Sequence, residues 1–316
     1  MAGYGGVLPA NETGFSPGQS STGAPQMPFP ALKVVRRPGG DERVIVLVHG
    51  MWSRPHVWEN FRRYFEARGY RVVTPTLRHH NIEPGGEHHP ELGSLSLLHY
   101  AEDLAAEIRA LDTRPFIIGH SMGGLLALML AARGLARGAA LLASSHCAPI
   151  FAFDISIASV FRREFMSRFW RRPQLPSYAA MRSGVLNGLG EEEARALYAT
   201  LIPESGRCLA EIGFWFFDRQ QAAYVDAKQV ACPLLFLTGT EDRLTTPSHA
   251  WATAEYFGPK ARIEFLRGRG HWLPGEPGWE TAASKVERFF EIEAPLFRIE
   301  TDAAEAVPSG LIARTA

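Results

Sequence analysis

Short apolar segments alternate with amphipathic segments along most of this 316-residue chain. The run Val44–Val48 is apolar at every position, which is typical of a strand covered on both faces of a parallel sheet. Strands are expected at 44–48, 70–77, 116–118, 139–143, 234–237 and 263–266, and helices at 55–68, 97–111, 125–132, 248–257 and 279–291. This succession predicts an α/β domain built on a mostly parallel, twisted sheet flanked by helices.

The alternation is interrupted once, between about residues 147 and 226. This stretch is rich in aromatic residues and arginine, and its helical patterns have no strands between them. We therefore expect a helical insertion at residues 148–226, late in a sheet domain formed by residues 41–147 and 227–293. Residues 1–40, with eight Gly and six Pro, are expected to form a flexible arm, and residues 294–316 a loose tail.

Composition excludes several classes of protein. Lys and Arg number 33 and so do Asp and Glu, so the formal charge is zero, which argues against nucleic acid or an anionic membrane surface as the main partner. No run approaches the roughly 20 apolar residues that a bilayer span requires, so no transmembrane segment is expected. The oligomeric state cannot be read from the sequence.

Three scattered cysteines, Cys147, Cys208 and Cys232, fit neither a disulfide framework nor a structural zinc site. They are expected to be small, partly buried side chains in a reducing compartment. Residues 1–30 contain no Lys or Arg and no long apolar run, so they do not resemble an export signal. A cytoplasmic location is the resulting expectation.

The pentapeptide at 119–123, Gly-His-Ser-Met-Gly, matches the G-x-S-x-G pattern of a serine nucleophile. A predicted buried strand ends in it and a predicted helix follows, which is the context that this pattern requires. The glycines leave room for a tight turn that lifts the Ser121 hydroxyl above the sheet edge. The helix N-terminus then offers backbone N–H groups to developing negative charge.

A serine hydroxyl needs a base to take its proton and an acid to orient that base. The turn after the strand at 234–237 contains Glu241 and Asp242, and the Gly-rich loop after the strand at 263–266 contains His271. The carboxyl ends of parallel strands share one sheet edge, which is where such sheets bind ligands, so these residues are expected beside Ser121. His249, at the start of a predicted helix, is a further candidate base with a more structural interpretation.

The segment His49-Gly50-Met51-Trp52 follows the first long strand. We expect a backbone N–H there to point at the oxyanion of a tetrahedral intermediate, with Met51 preferred over Trp52. The N–H of Met122, directly after the serine, is the expected second donor. One such donor is worth about 3 kcal/mol of barrier reduction.

Together, V-L-V-H-G-M-W, G-H-S-M-G-G, G-T-E-D-R and G-R-G-H-W resemble the α/β-hydrolase superfamily, in its serine esterase and lipase branch. The chain is most similar to lid-bearing enzymes of the monoacylglycerol lipase and lysophospholipase type, over roughly residues 41–293. The resemblance implies the α/β-hydrolase fold, a cofactor-independent acyl-enzyme mechanism, and a helical cap in the place of the insertion. It also favours Asp242 over Glu241 as the acid. The N-terminal hairpin strands of the family are reduced here to something like Leu32–Val35.

These features predict a carboxylic ester hydrolase with the catalytic residues Ser121, Asp242 and His271, acting on a small to medium ester with an apolar acyl or aromatic group and using water. The expected pocket residues are Trp52, His120, Phe214, Trp215 and Trp272. A thioesterase or acyltransferase with the same residues is the alternative among enzymes, and haloperoxidase or hydroxynitrile lyase chemistry stays open. Outside enzymes, the alternative is a non-catalytic ligand-binding homologue. Enzymes of this fold with an aspartate nucleophile are disfavoured because position 121 is serine.

Two histidine pairs, His79-His80 and His88-His89, lie in a loop that contains Gly and Pro. Adjacent histidines rarely converge on one ion, and the familiar zinc motifs are absent from the sequence, so no metal site and no cofactor are expected. The pairs are expected to lie in a solvated loop near the mouth of the active site. The four aromatic residues at 214–217 exceed what one helical face can bury, so some of them are candidates for substrate contact.

Overall fold

A computed structural model describes residues 43–151 and 168–294 of the chain. The main sheet has six strands: β1 (Val44–Val48), β2 (Arg71–Val73), β3 (Phe116–His120), β4 (Gly138–Leu142), β7 (Leu234–Gly239) and β8 (Ala261–Leu266). Their order across the sheet is β2-β1-β3-β4-β7-β8, and every neighbouring pair is parallel. The predicted parallel α/β architecture is confirmed.

Helices cover both faces of this sheet, which explains why the central strands are apolar at every position. Alternate residues of β1 enter different cores: Val46 packs on the side of α2 (Leu97–Arg109), α3 (Met122–Ala132) and α7 (Pro247–Phe257). Its neighbour Leu47 packs on the side of α1 (Glu59–Glu66) and α8 (Trp279–Arg288). Both residues are at most 1% exposed.

The predicted insertion contains three helices in its described part: α4 (Tyr178–Gly184), α5 (Glu191–Tyr198) and α6 (Gly206–Gly213). It also contains a short antiparallel ribbon, formed by β5 (Pro173–Gln174) and β6 (Glu204–Ser205). The prediction of helices without strands was therefore wrong at this point. Two-residue strands are too short to show a period in the sequence, so their pairing depends on tertiary contacts.

Several element boundaries differ from the predictions. The second strand ends at Val73 instead of Leu77, because it lies at the sheet edge with one partner and Pro75 has no N–H for a ladder. Helix α3 begins at Met122 instead of Leu125, since the turn of the serine motif leads directly into it. The helix predicted at 55–68 is a 3-10 turn at Pro55–Trp58 followed by α1.

Two buried glutamates join the insertion to the sheet domain. Glu204 of β6 accepts hydrogen bonds from the Tyr100 hydroxyl at 2.8 Å and from its own neighbour, the Ser205 N–H, at 2.6 Å. Glu211 of α6 accepts the Leu97 N–H at 2.8 Å and the Ser96 hydroxyl at 3.0 Å, so it caps α2 from another element. Both carboxylates therefore satisfy buried donors of the sheet domain.

The predicted N-terminal arm, the strands around Leu32–Val35, part of the insertion and all but the first residue of the C-terminal tail lie outside the described residues. Within the described residues, no helix combines the length and the apolar character that a membrane crossing needs.

Candidate active site

Ser121 occupies a sharp turn between β3 and α3. Its backbone has φ 54° and ψ −120°, a conformation that a non-glycine residue rarely adopts and that indicates strain held for a function. The turn is so tight that a Cβ on Gly119 would lie 2.1 Å from the Gly123 carbonyl oxygen. A Cβ on Gly123 would lie 2.2 Å from the Val48 carbonyl oxygen. Both glycines of the motif are thus required by the close approach of backbone.

The structure brings His271 to Asp242. His271 Nδ1 lies 3.0 Å from Asp242 Oδ2 and 3.2 Å from Oδ1, and both side chains are at most 1% exposed. Asp242 follows β7 and His271 follows β8, as the sequence predicts. The competing acid Glu241 is exposed, and its carboxylate lies 3.4 Å from the Thr240 hydroxyl. Geometry thus pairs the imidazole with Asp242.

Asp242 is held in place by donors that the sequence did not reveal. Its Oδ1 accepts the N–H groups of Leu244 and Thr245, each at 2.9 Å. The Thr245 hydroxyl lies 2.8 Å from Asp242 Oδ2, 2.9 Å from the Ala143 carbonyl oxygen and 3.2 Å from His271 Nδ1. A threonine three residues after an aspartate is the only sequence signal for this contact.

His120 connects the histidine loop, which is the loop after β8 that contains His271, to the serine turn. Its Nε2 donates to the His271 carbonyl oxygen at 2.9 Å, and its ring lies 5.0 Å from the His271 ring. This contact places His271 beside the residue that precedes Ser121. The described part of the chain holds no hydrogen bond between the Ser121 hydroxyl and the His271 ring. Such bonds are often long in the absence of substrate and tighten in the bound complex.

Burial keeps His120 neutral. Desolvation, with His271 nearby, lowers its pKa to about 3, and Trp272 packs edge-on against its ring at 5.3 Å. His49 is also buried and its pKa is lowered to about 3 by desolvation and by His80. These rings are therefore structural at neutral pH and do not compete with His271 as a base.

The loop after β1 passes directly against the serine. A Cβ on Gly50 would lie 3.0 Å from Ser121 Cβ and 2.9 Å from the His120 carbonyl oxygen. Met51 follows in this loop, and Met122 begins α3, whose first N–H groups have no partner within the helix. The two predicted donors of an oxyanion site therefore flank the serine turn.

Trp52, predicted as a pocket residue, makes hydrogen bonds to the insertion that were not predicted. It is 3% exposed, with φ 62°, and its indole N–H donates to the Gln174 carbonyl oxygen at 2.9 Å. Its own carbonyl accepts the Ile202 N–H at 3.0 Å. Trp52 thus ties the loop after β1 to the insertion, close to both strands of the ribbon.

The remaining predicted pocket residues separate into two groups. His120, at the end of β3, and Trp272, directly after His271, are buried, at 2% and 5% exposure. Phe214 and Trp215 are half-buried in the insertion, and the Trp215 indole donates to the Ile150 carbonyl oxygen at 3.1 Å. Helix α6 ends at Gly213 and a 3-10 turn follows, which leaves Phe216 and Phe217 exposed.

Glu276 supports the histidine loop and was missed by sequence reasoning. Both of its oxygens lie 3.1 Å from the Gly270 nitrogen, so it accepts the N–H of the residue before His271. It is 1% exposed, and burial raises its pKa against the opposing effect of this hydrogen bond. A glutamate five residues after His271, beside Pro277, was the available signal.

The histidine pairs separate in the structure. His80 is buried, with Nε2 3.0 Å from Glu204 Oε2, whereas His88 and His89 are exposed. Burial alone would lower the pKa of His80, but the Glu204 carboxylate outweighs it and raises that pKa. Among the described residues, one group could hold a metal ion, namely His79, His89 and Glu91.

Comparison with known sequences identifies relatives among hydrolases. The chain is 32% identical over 80 residues to a pyrethroid hydrolase of Sphingobium wenxiniae, a match that spans 25% of this chain and only 27% of that protein. It is 29% identical to the magnesium-chelatase 30 kDa subunit of Rhodobacter capsulatus, over 74% of this chain and 82% of that one. It is 26% identical to the mouse sn-1-specific diacylglycerol lipase ABHD11, over 72% and 75% of the two chains.

Solved structures show the same fold. The crystal structure of a pyrethroid hydrolase from Sphingobium faniae superposes with a TM-score of 0.61 and 17% identity, covering 80% of this chain and 99% of that one. A sequence profile described as the alpha/beta hydrolase family matches residues 45–283, which is well over half of the chain. The resemblance inferred from the four motifs is thereby confirmed, and this chain belongs to the alpha/beta hydrolase family.

Proposed function

We propose that this protein is a serine hydrolase that cleaves carboxylic esters through an acyl-enzyme, with Ser121, His271 and Asp242 as the catalytic residues. The observation that carries the proposal is the buried His271–Asp242 pair, joined through His120 to the strained turn of Ser121. Hydrolase relatives support the general class.

The expected reaction follows from this arrangement. Asp242 accepts a hydrogen bond from the Nδ1–H of His271 and so holds the proton on Nδ1, which leaves Nε2 with a free lone pair to take the proton of the Ser121 hydroxyl. The serine oxygen attacks the ester carbonyl, and the N–H groups of Met51 and Met122 stabilise the oxyanion. His271 then protonates the leaving alcohol. His271 then deprotonates a water molecule, which attacks the acyl carbonyl. The bond between the acyl group and the Ser121 oxygen breaks, His271 returns the proton to that oxygen, and the acid is released without a cofactor.

We further propose that residues 148–226 form a cap over the site. In support, Trp52 connects the loop after β1 to Gln174 and Ile202 of this segment, and Asn187 donates to the Glu241 carbonyl oxygen at 2.7 Å. The half-buried rings of Phe214 and Trp215 are the proposed contacts for an apolar acyl or aromatic group. Trp52, His120 and Trp272 would form the wall behind them.

A panel of p-nitrophenyl esters of increasing acyl length tests this function, with acyl-CoA and amide substrates run in parallel. The native protein should hydrolyse the esters, the rates should persist beyond the shortest acyl chains, and Ser121→Ala should abolish turnover. Faster turnover of acyl-CoA than of every ester would instead establish a thioesterase. A sharp optimum at acetate would contradict the apolar pocket.

The chelatase subunit among the relatives favours one other possibility, a subunit whose role does not require ester hydrolysis. In that case the native protein should hydrolyse none of the esters, thioesters or amides, although Ser121, His271 and Asp242 are all present in the chain.

A further inference from the structure

The loop between β2 and α2 brings together one histidine from each of its two pairs. The rings of His79 and His89 are stacked, with centroids 3.7 Å apart and planes inclined by only 4°. Adjacent histidines have different partners: His80 contacts the buried Glu204, whereas the His79 ring stacks on His89. Histidines ten residues apart thus meet, which the pairwise pattern in the sequence did not indicate.

A carboxylate completes this cluster. Glu91 Oε2 lies 3.9 Å from His79 Nε2, which is beyond the length of a normal hydrogen bond. One donor atom from each of His79, His89 and Glu91 lies within 4.8 Å of the others. Two imidazoles and one carboxylate are a ligand set that suits Zn²⁺ better than Mg²⁺ or Ca²⁺, which prefer oxygen ligands alone.

His79 is the least satisfied member of the cluster. Its Nε2 is buried and has no hydrogen-bond partner within the described residues, a condition that is rare for buried polar atoms and often marks the place of an ion or water. Its backbone lies at φ 64°, which is uncommon for a residue other than glycine.

We propose that His79, His89 and Glu91 form a binding site for a divalent transition-metal cation of the Zn²⁺ type, separate from the Ser121 site. The ion would join residue 79 to residues 89 and 91 and so close the intervening loop around Gly85 and Gly86. Three protein ligands leave one position of a tetrahedral ion for solvent.

Binding requires one of the two rings to leave the stack. The lone pairs of parallel stacked rings lie in separate planes, so one ion can bind both rings only after one of them rotates. Ligand atoms around a tetrahedral zinc ion, at bond lengths of about 2.0–2.2 Å, lie roughly 3.3 Å from one another, so the donor atoms must approach more closely. His89 must also give up the hydrogen bond that its Nδ1 accepts from the Glu91 N–H at 3.2 Å. His89 and Glu91 are exposed, so both side chains have room to move.

Zinc titration of the full chain, stripped of metal by a chelator, tests the proposal, with a chromophoric zinc chelator as competitor. The native protein should bind one Zn²⁺ per chain at micromolar or lower free zinc and should not respond to Mg²⁺. His79→Asn removes one ligand while keeping a residue that tolerates positive φ. This variant and His89→Ala should each weaken binding at least tenfold.

His88→Ala is the matched control, because His88 lies in the same loop and outside the cluster. It should bind zinc like the native protein, and circular dichroism should show that all variants are folded. Native protein that binds no zinc, or His79→Asn and His89→Ala variants that bind it with native affinity, would overturn the proposal. Because zinc binding is measured without substrate, the result does not depend on ester hydrolysis.

Discussion

At the scale of single residues, the proposed acid and base, Asp242 and His271, are held by other residues of their own loops. Ser121 and His271 stand in short motifs at strand ends, where parallel topology fixes their approximate place. Thr245 and Glu276 make their contacts within the same loops, from the Thr245 hydroxyl to Asp242 and from the Gly270 N–H to Glu276, and neither residue belongs to a recognisable motif. Glu241 and Asp242 are neighbours in sequence, but in the structure Asp242 is buried and contacts His271, whereas Glu241 is exposed.

Asp242→Asn should lower kcat by roughly three to four orders of magnitude, because an amide cannot hold His271 in the tautomer that accepts the serine proton. The protein should remain folded, since asparagine has nearly the same shape. Glu241→Gln is the matched control and should keep near-native kcat, because the Glu241 carboxylate is exposed. Steady-state kinetics on one ester check both variants. A greater loss in Glu241→Gln would assign the acid to Glu241.

His120 should make folding stability depend on pH. Its pKa is about 3 when folded and about 6.5 when unfolded, so the unfolded chain takes up a proton that the folded chain does not. Stability is therefore fully present above pH 6.5 and falls as the pH drops, by about 2 kcal/mol between pH 7.5 and 5.0. His120→Gln keeps a donor for the His271 carbonyl but does not titrate. Its folding stability should therefore fall by about 2 kcal/mol less than that of the native protein between pH 7.5 and 5.0.

Urea unfolding of the native protein and of His120→Gln at the two pH values measures this difference directly. His49 and His146, with pKa values lowered to about 3 and about 4, contribute in the same direction in both proteins and cancel in the comparison. Equal pH dependence of the two proteins would show that His120 is not held neutral.

At the scale of elements, apolar periodicity predicts the strands and helices of the sheet domain, but it does not predict the contacts between elements. The ribbon of β5 and β6 has only two residues in each strand, so no periodic signal exists. Its position matters nonetheless, because Trp52 in the loop after β1 is bonded to Gln174 of β5 and to Ile202 just before β6. The ribbon thus holds the loop that carries the proposed Met51 donor.

Trp52→Phe should slow catalysis, because it removes the hydrogen bond between the loop after β1 and Gln174. Loss of the indole hydrogen bond should cost about 1 kcal/mol of stability. It should also lower kcat about tenfold with little change in KM, because an oxyanion donor acts mainly in the transition state and a fully lost donor costs about 3 kcal/mol. Kinetics on a single ester and urea unfolding provide the two values.

Tyr198→Phe is the control for this variant. It removes a similar bond, from the Tyr198 hydroxyl to the Pro176 carbonyl oxygen at 2.9 Å, two residues beyond Gln174. It should reduce stability similarly while leaving kcat unchanged. Equal losses of kcat in the two variants would indicate general destabilisation instead of a role for Trp52 in the loop after β1.

At the scale of the whole molecule, the insertion and the sheet domain share buried polar contacts. Glu204 is completely buried and links the insertion to His80 and to Tyr100 of α2. Glu211 adds its contacts to the first turn of the same helix. The loss of strand–helix alternation predicted the insertion. It did not predict the contacts of Glu204 and Glu211 with the sheet domain, because a buried carboxylate with partners far away in the sequence leaves no local pattern.

These contacts predict that the insertion and the sheet domain unfold as one cooperative unit. Glu204→Ala leaves His80 and the Tyr100 hydroxyl unpaired, which should cost about 3–5 kcal/mol and lower the melting temperature of the whole protein. Differential scanning calorimetry should show one transition in both native protein and variant. A separate early transition in Glu204→Ala would show that the insertion unfolds on its own.

Ser121 is proposed to be a nucleophile activated by His271, and a fluorophosphonate probe reacts with a serine activated in this way. Intact-mass spectrometry should show one adduct per native chain, located by peptide mapping at Ser121, and no adduct on Ser121→Ala. His271→Ala should react far more slowly than native protein. A folded native protein that the probe does not modify, or a Ser121→Ala variant labelled as fast as native, would contradict the claim.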